Sequence, residues 1–120
     1  MEFRATCDTC SVDNDIATLG FADDEFNTTQ YLLLQRKLSP DDQDRALRMD
    51  RLHIEYCEQS QSAYGSVIRA ELGKQRLVLH FDRATADAVS NGEAIEIAFV
   101  ANAPKPAELF DQLSLLVGRD

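Results

Sequence analysis

Apolar and polar residues alternate with a period of two along most of the chain. Phe3, Ala5 and Cys7 alternate with Glu2, Arg4, Thr6 and Asp8, the pattern of a half-buried strand. The cluster SVDND at 11–15 reads as a turn, and residues 16–21 as a second strand that leaves through the loop ADDEFNTT. In QYLLLQRKL the apolar run Tyr31, Leu32, Leu33, Leu34 is continuous. It predicts a strand near the middle of a sheet or covered on both faces, and Pro40 ends it. In SPDDQDRALRMD, Ser39 and Pro40 resemble a helix start, but Ala46, Leu47 and Met49 form no stripe. The segment reads as a loop holding at most one helical turn.

Alternation then returns. Leu52, Ile54 and Tyr56 face one way and Arg51, His53, Glu55 and Cys57 the other, a half-buried strand. SQSAYG reads as a polar loop. Ile68, Ala70 and Leu72, then Leu77, Leu79 and Phe81, make a hairpin around a turn containing Gly73. RATADAVSNG predicts a short helix that ends at Asn91-Gly92. EAIEIAFVA is the last strand, with Ile95, Ile97 and Phe99 on one face. In NAPKPAELFDQLSLLVG, Leu109, Leu113, Leu116 and Val117 fall at i, i+4, i+7 and i+8. That spacing predicts an amphipathic C-terminal helix packed on the sheet, from near Pro106 to Gly118. The expected class is therefore α+β: a mostly antiparallel sheet of about six or seven strands plus that helix, in a single domain over residues 1–120.

Charge narrows the function. Twenty-one acids face twelve bases, for a net charge of -9. Nucleic-acid binding requires a basic stripe, and none is visible; an anionic membrane surface is disfavoured for the same reason. A basic protein partner is favoured, and a homodimer is compatible with the chain. The sequence shows no signal-peptide pattern and no apolar run long enough to span a bilayer. Three cysteines, an odd number, then read as reduced thiols of a cytoplasmic protein.

The candidate chemistry is sparse. Cys7 and Cys10 form a C-x-x-C. The motif lies on a strand, where residues three apart point to opposite faces, and has no second ligand pair. The expectation is one buried and one exposed thiol, with no metal and no cofactor. His53 and His80 sit opposite the apolar alternation of their strands and are expected at the surface. No G-x-S-x-G, phosphate-cradling loop or H-E-x-x-H occurs, so no catalytic residues are assigned. The acids remain. Asp13 and Asp15, then Asp23, Asp24 and Glu25, then Asp41, Asp42 and Asp44, all fall in predicted loops. None follows the calcium-loop pattern. The last two clusters are candidate partner-binding residues, because clustered charge speeds encounter with a basic partner. Two other classes stay open: a small hydrolase-like enzyme using loop carboxylates, and an oligomeric structural or regulatory protein.

Several stretches carry a family resemblance. They are Phe21-Ala22-Asp23-Asp24, Tyr31-Leu32-Leu33-Leu34-Gln35-Arg36, Asp42-Gln43-Asp44, Met49-Asp50, and Gln59-Ser60 through Tyr64-Gly65. In this order they resemble the bacterial polymorphic-toxin immunity proteins of the immunity protein ten family. Arg48 and Ser66 stand where that pattern has glycine. The resemblance implies a non-catalytic protein that binds and neutralises a cognate toxin domain, often a nuclease. Many such nucleases are basic because they bind nucleic acid, which suits an acidic partner.

Overall fold

The computed structural model describes residues 2–24, 26–39, 41–46, 52–73 and 75–99. Among them the chain forms nine strands, in two sheets rather than one, and two short helices. Five strands run as an antiparallel meander: β2 (Cys7–Asp13), β3 (Ile16–Ala22), β4 (Tyr31–Lys37), β5 (Leu52–Tyr56) and β6 (Glu58–Gly65). The four-stranded sheet has the order β1-β9-β8-β7, from β1 (Glu2–Ala5), β9 (Ile95–Phe99), β8 (Arg76–Phe81) and β7 (Val67–Leu72). Among the described strands only the β1–β9 pair is parallel. Helix α1 (Asp42–Ala46) is a single turn after β4, and α2 (Arg83–Ser90) links β8 to β9.

The period-two pattern decides which side of each strand is buried. Leu19, Leu32, Leu34 and Ile54 from the five-stranded sheet meet Leu77, Leu79, Ile95 and Ile97 from the other in one core. Ring contacts cross between the sheets: Phe3 lies 6.2 Å from Tyr56, and Phe21 lies 5.4 Å from Phe99, centroid to centroid. Burial pushes the Tyr56 phenol up to about 12, and the adjacent Cys57 adds to the shift.

The chain passes directly from one sheet to the other at two corners, Thr6 and Ser66, as sandwich strands do when they switch sheets. At Thr6 the backbone N–H donates to the Ala22 carbonyl at 2.9 Å. At the other corner α2 comes very close. A Cβ on Gly65 would lie 2.0 Å from Thr85 Oγ1, so only glycine fits. Thr85 is buried, and its hydroxyl accepts from the Ser66 N–H at 3.2 Å. Ser66 is not among the positive-φ residues, so its side chain carries no left-handed strain where the family pattern has glycine. Asp82 caps α2 by accepting from the Thr85 N–H at 2.8 Å, and Asn91 ends it in the left-handed conformation, as its sequence predicts.

Four readings change. The expected first strand breaks at Thr6, and its second half continues through Asp13, so the turn is only Asn14-Asp15, both at positive φ. That two-residue hairpin suits Asn and Asp. SQSAYG is not a loop: Ser62 to Gly65 pair with Glu55 to Leu52 inside β6. Small polar residues have weak strand propensity, and pairing with β5 overrides it. In β7, Ile68 is 67% exposed, because the register shifts between Val67 and Arg69 and turns it out of the apolar series. The two histidines are half-buried rather than exposed, since each packs beside neighbours on its sheet. The expected strand count was short by the Thr6 break and by β6. The C-terminal helix falls outside the described residues.

Candidate functional site

The acidic loops do not come together. The Asp23 loop enters β4 at Tyr31, while α1 follows the other end of β4 after Lys37. Seven strand residues separate the two clusters by roughly 20 Å. Nor are the first loop's carboxylates idle. Asp23 accepts from the N–H groups of Thr29 and Gln30, at 3.0 and 3.1 Å, and from the Thr29 hydroxyl. These bonds, the Thr29 hydroxyl first, hold its carboxyl below the usual range. Asp24 accepts from the N–H groups of Phe26 and Asn27, both at 2.9 Å. Asp15 does the same for the Ser39 N–H at 2.9 Å. Short acidic side chains satisfy loop backbone that has no ladder partner. Asp41 and Asp42 are exposed, with Arg45 3.3 Å from Asp42. Glu25 and the side chain of Asp44 lie outside the described residues. Phe26, 92% exposed in the Asp24-capped turn, is a feature that charge counting passed over.

A different group does converge, on the outer face of the five-stranded sheet. Burying Leu32, Leu34, Leu52 and Ile54 turns Tyr31, Leu33, Gln35, His53 and Glu55 outward. Register sets Leu33 opposite Glu55, Gln35 opposite His53, and His53 opposite Tyr64. The Tyr31 hydroxyl donates to Glu55. His53 Nε2 lies 3.9 Å from Glu55, and its ring sits 5.1 Å from that of Tyr64. Gln35 donates to the Thr18 hydroxyl at 3.3 Å. His53 Nδ1 is buried without a hydrogen-bond partner among the described residues. Sequence alternation could have placed Tyr31, Gln35, His53 and Glu55 on polar faces. It could not show that the faces belong to adjacent strands, and Tyr64 was hidden in a stretch read as loop.

The outer face of the four-stranded sheet is built otherwise. Glu71 takes both Arg69 and His80, the latter at 3.0 Å, and Arg76 pairs with Glu96. The His80 hydrogen bond, first, and then Arg69 lower the Glu71 carboxyl below its usual range. An open depression of about 360 Å³ beside the β7–β8 turn is lined by Glu71, Leu72, Gly73, Arg76 and Val78. Its one carboxylate and one guanidinium are already paired. Among the described residues, no three His, Cys, Asp or Glu side chains converge on a common point, and no helix is long and apolar enough to cross a membrane. Cys10 is an exposed thiol and Cys57 a half-buried one; the Cys7 side chain lies outside the described residues.

The model of the family Immunity protein 10 matches residues 3–107, and the chain belongs to that family. No curated protein matches it.

Proposed function

We propose that this chain is the immunity partner of a bacterial toxin: a single cytoplasmic domain over residues 1–120 that binds a cognate toxin domain and neutralises it without chemistry of its own. The observation that carries the reading is family membership across residues 3–107. The arrangement of side chains agrees with it. Asp23 and Asp24 spend lone pairs on their own loop, which disfavours these two carboxylates for acid–base work. The same acids, with Asp41 and Asp42, contribute to a net charge of -9 that draws in a basic partner such as a nuclease. Under this proposal the acidic loops steer encounter from both ends of the molecule rather than form one contact patch.

The test is protection in cells. The toxin domain encoded directly upstream is expressed from an inducible promoter, with and without this chain. Survival only in the presence of the chain, with the toxin domain recovered intact on the affinity-tagged chain, is the expected result. Death in both cases refutes the proposal, and survival with a degraded or modified toxin points to an enzyme.

A further inference from the structure

We infer that the outer face of β4–β6, centred on Tyr31, Leu33, His53, Glu55 and Tyr64, is the surface that grips the toxin, and that its occupant is a basic toxin patch placing an Arg or Lys over Glu55. The inference rests on the immunity reading and adds the contact surface to it.

Three observations carry it. First, the composition is that of an interface centre: aromatic and amide groups, with charge among the described outward side chains confined to Glu55 and His53 until Lys37 at the strand end. Interface cores are enriched in Tyr and depleted in charged residues such as Lys, Asp and Glu. Second, the side chains are already fixed. Tyr31 holds Glu55, His53 packs on Tyr64, and Gln35 holds Thr18, so little rotamer freedom is left to lose on binding. Third, a single carboxylate sits at the centre: Glu55, whose side chain is 16% exposed and accepts from the Tyr31 hydroxyl. Glu55 is a positioned anion with a tyrosine ring at hand, which suits a guanidinium through a charge-assisted hydrogen bond and a cation–π contact.

A second copy fits less well. It would set a chain of net charge -9 against another, and an isologous contact pairs the face with itself.

The test is calorimetric titration of the full-length chain with the purified upstream toxin domain, made inactive by substitution in its own active site. Tyr64→Ala and Glu55→Gln are each expected to weaken binding at least ~30-fold, as central anchors do, with melting midpoints near that of the unsubstituted chain. Ile68→Ser and Glu71→Gln on the opposite sheet are expected to change affinity less than about twofold, as peripheral contacts do. Unchanged affinity in both Tyr64→Ala and Glu55→Gln overturns the inference. So does a large fall in melting midpoint with affinity intact, which would assign the face to the chain's own packing. A dimer that dissociates on Tyr64→Ala, with toxin binding intact, assigns the face to a second copy and overturns it as well. If the unsubstituted chain does not bind the toxin, the immunity reading itself fails, and the two failures are thereby told apart.

Discussion

The two sheets share one core and differ in what they show to solvent. On the four-stranded sheet the outward charges pair: Arg69 with Glu71, which also shares a hydrogen bond with His80, and Arg76 with Glu96. Such pairs keep a surface wet and give little net stability. On the five-stranded sheet the outward groups around β4 and β5 are tyrosine, leucine, glutamine, histidine and one glutamate, and that glutamate accepts from the Tyr31 hydroxyl with His53 Nε2 3.9 Å away. Both faces come from the same alternation rule, so alternation says which residues are outside and not what the outside is for. The distinction lies in whether the outward groups are exposed pairs of opposite charge or a half-buried polar and aromatic cluster around one carboxylate.

The largest effects should fall on what the faces have in common. Ile54 and Leu79, both fully buried, belong to opposite sheets. Ile54→Ala and Leu79→Ala should each cost about 2–5 kcal/mol in denaturant unfolding. Each variant should still unfold in a single transition seen alike by far-ultraviolet dichroism and by tyrosine fluorescence. Separate transitions would mean that the sheets are independent and that the comparison concerns two units rather than one.

Next comes the corner that ties the sheets together. Gly65→Ala forces a Cβ into Thr85 and should cost about 1–3 kcal/mol by overpacking. Ser66→Gly beside it should cost much less. A Gly65→Ala chain as stable as the parent would show that α2 does not rest on this corner.

Smaller effects follow from protons. The folded-state pKa of Tyr56 is raised from 10.0 to about 12, so its contribution is whole below pH 10 and is lost as pH rises towards 12. Tyr56→Phe should flatten the stability profile over that window. Asp23 is shifted the other way. Its contribution is present above its unfolded value of 3.8 and is lost as pH falls through the lower folded value. Asp23→Ala should remove that part of the acid-side slope. The smallest effect is expected at the self-neutralised face, where Arg69→Ala should leave the melting midpoint within error.

Much of the sandwich was legible from residue order. The strands at Ile16–Ala22, Leu52–Tyr56, Arg76–Phe81 and Ile95–Phe99 stand where alternation put them, and α2 ends at its Asn-Gly signal. What escaped was set by contacts distant in sequence. Nothing local marks Thr6 as a corner, because Phe3, Ala5 and Cys7 keep their alternation through it. β6 is a strand because β5 pairs with it, and Gly65 is a glycine because Thr85, twenty residues away, occupies its Cβ position. The acids were legible as loop residues but not as loop caps. Asp23 reaches forward to Thr29 and Gln30, a span that composition cannot report.

Hydroxyl-radical footprinting of the toxin complex tests the central claim most directly, because each face carries reactive rings: Tyr31, His53 and Tyr64 on one, His80 on the other. The prediction is strong protection of Tyr64 and Tyr31 when the toxin domain is added, with His80 oxidised at the same rate as in the free chain. Protection of His80 with Tyr31 and Tyr64 unchanged would place the toxin on the self-neutralised face and contradict the account.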